Sequence, residues 1–270
     1  MTRSKEFAFT FEHFDTLRKL AYGYSGIHIT DDKFEMYYAR LAKRLRALKL
    51  TEFAAYIKLV KRDPEEFSEF INAITTNVTA FEREPHHFVR LGQELEQYSR
   101  RDLRIWSAGC SSGQEPYSIL INSLPICERR NIDIKLLATD LDTNVLTKAK
   151  QGIYPLEDIK NYSDAQKKKF FLKGKGANQG LSRVKPKLTD LIEFKQLNLF
   201  NPWQINQSFD FIFCRNVLIY FEMPKKLEII ARFRANLKVG GILFLGHSES
   251  IPRTEEHWLN IGKNMYQLSE

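Results

Sequence analysis

The polar groups suited to chemistry gather at the ends of short apolar runs. Phe209-Asp210-Phe211-Ile212-Phe213 leads into Cys214-Arg215-Asn216, and Arg104-Ile105-Trp106-Ser107-Ala108 leads into Gly109-Cys110-Ser111-Ser112-Gly113-Gln114-Glu115. A third run ends Ala138-Thr139-Asp140-Leu141-Asp142, and a fourth ends Lys195-Gln196-Leu197-Asn198-Leu199. Each is too short for a helix and breaks where a parallel strand would stop. Open α/β sheets bind ligands in the crevice beyond such ends. Asp140 sits where a ribose diol is commonly held, each hydroxyl donating to a carboxylate oxygen. Asn198 carries an amide able to read an adenine edge, or is an ordinary turn asparagine. Gly109 and Gly113 bracket a tight turn, and Pro116 falls in a first helical turn that needs no N–H. The turn lacks full G-x-G-x-x-G spacing, which disfavours a pyrophosphate-cradling dinucleotide site. Together the strand ends suit adenosine without phosphates.

Positioning these groups requires a sheet, and the chain alternates strand and helix from about Arg104. Segments 105–107, 135–139, 192–196 and 211–214 read as strands; 116–124, 143–150 and 224–237 read as the intervening helices. Gly240-Gly241 introduces another strand at 242–246, and 264–268 returns beside it as an antiparallel closing strand. Residues 152–190 break the rhythm with Lys167-Lys168-Lys169 and Gly174, Gly176 and Gly180, which predicts an inserted lobe with a short hairpin, about 152–195 in all. Residues 1–74 read as a helical domain. One helix starts at Phe11 and ends at Gly23 and Gly26; Thr30-Asp31-Asp32 caps a second; Thr51-Glu52 starts a third that Asp63-Pro64 stops; the fourth runs from Glu65 to Ile74. Residues 75–90 form a polar linker, and 91–270 the sheet domain.

The bulk composition fits a soluble globular chain: 270 residues, 43% hydrophobic and 27% charged. The polar start Met1–Glu6 predicts no secretion signal. No apolar run reaches the roughly 18 residues of a membrane span. Cys110, Cys127 and Cys214 are odd in number and suit reduced thiols in the cytoplasm. His86, His87 and His247 make no metal pattern and read as structural, so no metal is expected. The formal charge of +8 suggests an anionic partner. Arg40, Lys43, Arg44, Arg46 and Lys49 lie on the outer face of an amphipathic helix in which Phe34, Tyr37, Tyr38, Leu41, Leu45 and Leu48 recur at helical spacing. That face is either solvated or a docking surface; no nucleic-acid module accompanies it.

Five stretches, in order, make the chain recognisable: Thr75-Thr76-Asn77-Val78-Thr79-Ala80-Phe81-Glu82-Arg83, Ser111–Ser118, Ala138–Asp142, Phe213–Phe221 and Gly246-His247-Ser248-Glu249-Ser250. Over nearly its whole length the chain resembles the chemotaxis receptor methyltransferases, the CheR family. Glu82 departs from the pattern, standing where the family usually has a second aromatic. The resemblance implies a class I S-adenosylmethionine-dependent methyltransferase fold: a Rossmann-like, mostly parallel sheet with an antiparallel closing strand, a small all-α N-terminal domain and a small antiparallel β insertion. It implies S-adenosylmethionine as cofactor, S-adenosylhomocysteine as product, and transfer of methyl to receptor glutamates in bacterial chemotaxis. Asn77, Thr79 and Arg83 would close over the cofactor from the linker, with Glu115, Asp140, Asn198, Leu199, Arg215 and Asn216 lining the pocket. Arg83 and Tyr220 would be catalytic, orienting the substrate carboxylate. The implied partner is the cytoplasmic helical bundle of chemoreceptors, together with their C-terminal tail if the β lobe tethers it. A cytoplasmic monomer is expected, with no nucleic acid and no membrane insertion.

Overall fold

The computed structural model describes residues 5–270; residues 1–4 of the polar start lie outside the described residues. The chain packs as two units. One holds the residues up to Thr76 with Leu199–Pro202 and Tyr220–Lys225; the other holds Asn77–Asn198, Trp203–Ile219 and Lys226–Glu270.

The smaller unit is built on α1 (Phe11–Ser25), α2 (Phe34–Leu48), α3 (Phe53–Arg62) and α4 (Pro64–Ile74). Thr10 opens α1 with a reciprocal capping bond to His13, and Gly26 closes it in the left-handed region at φ +68°; Gly23 lies inside the helix instead of ending it. Asp63 caps α4 through the Glu65 and Glu66 N–H groups, with Pro64 in the first turn. Thr30 does not cap α2 with its side chain. A short 3₁₀ turn, Asp31–Lys33, intervenes, and the Lys33 N–H bonds the Thr30 carbonyl instead. Phe14, Leu17, Tyr37, Leu41, Leu45, Phe53 and Tyr56 close the core with no exposed surface.

The basic face of α2 is partly structural. Arg40 donates to the Ile74 and Thr75 carbonyls at 2.8 and 2.5 Å, satisfying acceptors that the end of α4 leaves over. Arg44 pairs with Glu66, which is 5% exposed, and with Glu69. Arg46 pairs with Glu6 in the open. Removing Arg44 would strand a buried carboxylate at a cost of about 2–3 kcal/mol, after allowance for its own partial exposure.

The larger unit begins with α5 (His86–Gln97), which the sequence reading placed in linker and domain without a helix. A sheet of seven strands follows: β1 (Asp102–Ala108), β2 (Asp133–Asp140), β6 (Ile192–Gln196), β7 (Phe209–Cys214), β8 (Leu237–Leu245), β9 (Trp258–Asn260) and β10 (Met265–Leu268). Their order is β6-β2-β1-β7-β8-β10-β9. The first five pair in parallel, and β10 returns antiparallel against β8, as expected; β9 was not foreseen. Helices α6 (Gln114–Arg130), α7 (Thr143–Gln151) and α10 (Met223–Asn236) connect the parallel strands, α10 starting within a segment that packs with the smaller unit. Strand β8 starts before Gly240-Gly241, not after it, because Leu237 already pairs with Phe209. Ile105, Trp106, Ile212, Phe213, Leu243 and Phe244 are fully buried, so the central strands are covered on both faces.

The inserted lobe is a second sheet, β3 (Ile153–Pro155), β5 (Leu181–Val184) and β4 (Phe171–Lys173), antiparallel in the order β3-β5-β4. Helices α8 (Asp164–Phe170) and α9 (Pro186–Thr189) flank it. The lobe ends near Asp190 and not at 195, since Ile192–Gln196 pairs with β2 in the main sheet.

Candidate active site

At the end of β1, Gly109 and Gly113 take φ values of +86° and +97°. Side chains are excluded there twice over: a Cβ at Gly109 would lie 2.3 Å from Val217 and one at Gly113 2.7 Å from the Tyr154 hydroxyl. The turn they bracket delivers the Ser111 N–H to Asp140 Oδ2 at 2.8 Å, while the Asp142 N–H reaches Oδ1 at 2.9 Å. Burial pushes the Asp140 carboxyl up to about 6 despite these bonds. Each oxygen keeps a lone pair for a further donor, and a diol supplies two.

The centre of the site is Arg215, whose side chain is 2% exposed. One nitrogen donates to Glu115 Oε2 at 3.2 Å; the other donates to the Arg83 carbonyl and lies 3.4 Å from Glu84. Glu115 also accepts from Ser107 at 2.7 Å; burial raises its carboxyl and Arg215 only partly offsets this. Burial would raise Glu84 too, but Arg215 and the His247 N–H groups outweigh it and hold Glu84 below its ordinary value. Two largely buried carboxylates, 12% and 11% exposed, therefore share one guanidinium, and Asp140 adds a third acid. The acid excess fits a ligand bearing ammonium and sulfonium charge, and Asp140 fits its ribose.

The linker is tied down residue by residue. Asn77 donates to Asp142 at 2.6 Å and accepts from the Ser111 hydroxyl through its carbonyl at 2.9 Å. Arg83 donates to the Val78 carbonyl at 3.0 Å, and Thr79 lies half-buried between them. Glu82, the departure from the family pattern, accepts from Asn122 on α6 at 2.9 Å and from Tyr162 of the lobe at 2.7 Å. Its own N–H donates to Ser118. The Glu82 carboxylate thus ties the linker to two elements by hydrogen bonds. Glu82, Glu84, Ser111 and Asn216 all have φ between +49° and +60°. Such backbone is uncommon outside glycine, and its concentration around one arginine marks a site that the surrounding bonds hold in place.

Four residues that the sequence reading did not assign belong here. Glu84 and Ser111 are described above, and Asp142 caps α7 while holding Asn77. Glu249, 5% exposed, accepts the N–H groups of Asn216, Val217, Ile219 and Gly246 at 2.6–3.3 Å. It fixes the turn that presents Arg215 and Asn216. The sequence signal for it is the stretch Gly246-His247-Ser248-Glu249-Ser250.

Asn77, Thr79, Arg83, Glu115, Asp140, Asn198, Arg215 and Asn216 all lie in the larger unit. Leu199 and Tyr220 pack with the helical unit, where the Tyr220 carbonyl accepts the His28 N–H at 2.9 Å. His87 is buried with its Nε2 on the Lys263 carbonyl at 3.0 Å, while Nδ1 lies 3.6 Å from Glu84 Oε2, beyond hydrogen-bond distance. Burial drives its value down to about 4. Glu84, His86 and His87 each bring a donor atom within 4.8 Å of the others, and a cation beside Glu84 is already supplied by Arg215.

Asp140→Ala should weaken S-adenosylhomocysteine binding by about 1–3 kcal/mol, the cost of leaving ribose hydroxyls without a charged acceptor. The raised value adds a pH signature. Affinity of the unaltered protein should fall as pH drops through about 6, where Asp140 takes up its proton. The unliganded fold moves the opposite way, because a carboxyl raised in the folded state binds protons more tightly there. Calorimetry at pH 8 and pH 5.5 checks this; equal affinities, or an Asp140→Ala protein that binds normally, would remove Asp140 from the site.

Comparison with known proteins agrees with this geometry. Residues 77–266 match the family model described as CheR methyltransferase, SAM binding domain, and residues 12–75 match the CheR methyltransferase all-alpha domain. Chemotaxis protein methyltransferase 2 of Pseudomonas aeruginosa is 41% identical over 268 residues, covering 97% of this chain and 95% of the relative. Chemotaxis protein methyltransferase of Escherichia coli is 41% identical over 261 residues, covering 96% and 91%. With both of its units matched and relatives aligned along nearly its full length, the chain belongs to the CheR methyltransferase family.

Proposed function

We propose that this chain transfers the methyl group of S-adenosylmethionine to glutamate side chains of chemoreceptors, forming methyl esters in chemotactic adaptation. The observation that carries the reading is the acid-rich cluster around Arg215, with the Asp140 carboxylate at the end of the neighbouring strand β2, on a chain of this family. When bound, S-adenosylmethionine supplies an electrophilic methyl on a sulfonium leaving group. The target glutamate, with a reference pKa of about 4.3, is already a nucleophile near pH 7, so the protein needs no general base. What its residues contribute is orientation, which in-line attack demands. Asp140 and Glu115 position the cofactor, Asn198, Leu199 and Asn216 contribute to its pocket, and Arg215 holds the linker that carries Asn77, Thr79 and Arg83.

Arg83 and Tyr220 are assigned to orient the substrate carboxylate through the oxygen that does not attack, on the strength of their places in the family motifs. An arginine pressed on the attacking oxygen would quench its charge, so Arg83 acts at a restrained distance. Esterification removes the charge and favours release. Tyr220→Phe deletes one hydroxyl and should lower kcat by roughly ten- to a hundredfold, the scale of one oriented hydrogen bond. Full turnover with a lowered Tm would return Tyr220 to a packing role.

The partner surface is read from α2. With Arg40 and Arg44 engaged by α4, Lys43 and Lys49 are exposed for a receptor, and Arg46, paired with Glu6 in the open, can exchange that partner for a receptor acid. Lys43→Glu with Arg46→Glu should raise the receptor KM several-fold at low salt and leave S-adenosylhomocysteine affinity unchanged, as rim charges act through encounter. Unaltered receptor kinetics would make this face a solvated one. The lobe's outer strands β3 and β4 each have one unpaired edge in the small sheet, so a receptor's C-terminal tail can add there as a further strand. The protein acts in this reading as a cytoplasmic monomer. Among the described residues no helix is long and apolar enough to cross a membrane. Methyl transfer to receptor glutamate, with none to DNA or RNA, is the outcome that separates this function from nucleic-acid methylation.

A further inference from the structure

The densest run of positive charge along the sequence is not on α2. Residues 165–189 contain seven lysines and Arg183 with no acid among them, so this stretch alone carries +8, equal to the formal net charge of the whole chain. All of it lies on the inserted lobe: α8, strands β4 and β5, the loop between them, and α9. Lys167, Lys169 and Lys187 are partly neutralised by Asp164 and Glu128. Lys168, Lys173, Lys175 and Arg183 are exposed and have no ion-pair partner among the described residues.

The same lobe carries an exposed apolar pair beside one of these cations. Ile153 on β3, Arg183 on β5 and Leu172 on β4 are register partners, and so point to the same face of the three-stranded sheet. Ile153 is 46% and Leu172 50% exposed, while Tyr154, Ser182, Val184 and Phe171, alternating with them, are buried beneath. The outer face therefore presents two bare aliphatic side chains astride an arginine, while the exposed Lys168, Lys173 and Lys175 lie on α8, at the end of β4 and in the loop after it, Lys173 alternating in register with Leu172.

We propose that this face binds an anionic lipid bilayer peripherally, with the lysines on headgroup phosphates and Ile153 and Leu172 reaching the headgroup–acyl boundary. Three observations favour a bilayer over other anions. The charge is spread across two strands, a loop and a helix, which matches a diffuse anionic plane. It is almost all lysine, whose ammonium acts as a point charge; bidentate recognition of single carboxylates or phosphates favours arginine. The lobe's aromatics Tyr154, Tyr162, Phe170 and Phe171 are all at most 5% exposed, leaving no platform for nucleic-acid bases. Cations near an anionic leaflet and apolar side chains at its boundary are the two contributions that hold proteins on membranes. The inference concerns the sheet's face and does not depend on a receptor tail adding to its edge.

The test is co-sedimentation of the full chain with phosphatidylcholine vesicles, with and without phosphatidylglycerol. The protein should partition onto the phosphatidylglycerol vesicles alone, and progressively less as salt rises. Each removed cation should weaken partitioning about fivefold, so Lys168→Glu, Lys173→Glu and Lys175→Glu together should lose at least about a hundredfold. Ile153→Ser with Leu172→Ser should weaken it while leaving the salt dependence unchanged. Lys61→Glu on α3 should bind as the unaltered protein does. S-adenosylhomocysteine affinity and Tm, measured on each variant, report the fold independently. No partitioning at low salt, partitioning indifferent to the lysine reversals, or equal capture by soluble polyglutamate would overturn the proposal.

Discussion

Arg215→Ala should reduce kcat/KM by a thousandfold or more, of order 4 kcal/mol of transition-state stabilisation. The expectation follows from what the guanidinium touches. It bridges Glu115 on α6 to Glu84 and the Arg83 carbonyl on the linker, at 2% side-chain exposure. Without it two buried carboxylates face each other uncompensated, and breaking such a buried cluster costs about 3–5 kcal/mol. Glu115, already raised by burial, would rise further, and Glu84 would lose the charge that holds it down. Arg215→Lys should rescue little, because one ammonium cannot span the contacts the fork makes. Adding Glu84→Gln to Arg215→Ala should recover Tm by removing the repulsion, but not activity, since the linker stays unanchored. A double variant regaining turnover would show that Arg215 serves stability alone.

Glu249→Gln should be nearly as damaging although the Glu249 carboxylate bonds only backbone N–H groups. Each carboxylate oxygen accepts two N–H groups, Oε1 those of Val217 and Ile219 and Oε2 those of Asn216 and Gly246. A glutamine amide turns one oxygen into a donor, which then opposes two donors. The expected loss is about 2–4 kcal/mol of stability, or roughly 5–15 °C in Tm for a unit of this size. Because the same turn presents Arg215 and Asn216, kcat should fall by about ten- to a hundredfold at temperatures where the variant is folded. Normal turnover in the folded variant would limit Glu249 to a structural role.

The strand ends were readable because each apolar run stops abruptly at polar residues; Ile192–Gln196 was placed to the residue. The closing antiparallel strand followed from Gly240-Gly241 and the final apolar run, though not its pairing with Trp258–Asn260, which is only three residues long. Helix α5 escaped notice because Phe88, Leu91 and Leu95 follow Pro85 and two histidines in a stretch that reads as linker. Glu84 was not readable for another reason. Its partner is an arginine more than a hundred residues away, and no local spacing encodes that. The basic face of α2 shows the converse: periodicity placed Arg40 and Arg44 correctly on the polar side, but their partners on α4 emerge only on packing. The grouping of Leu199 and Tyr220 with the helical unit likewise depends on tertiary contacts.

The most direct measurement of the central claim is the chemical nature of the product. Incubated with methyl-labelled S-adenosylmethionine and the cytoplasmic fragment of a chemoreceptor, the protein should place label on the receptor. Mild base should release that label as volatile methanol, the behaviour of a carboxyl methyl ester, and a receptor with glutamine at the methylated positions should acquire none. Base-stable label, or label that appears in added nucleic acid and not in the receptor, would contradict the account.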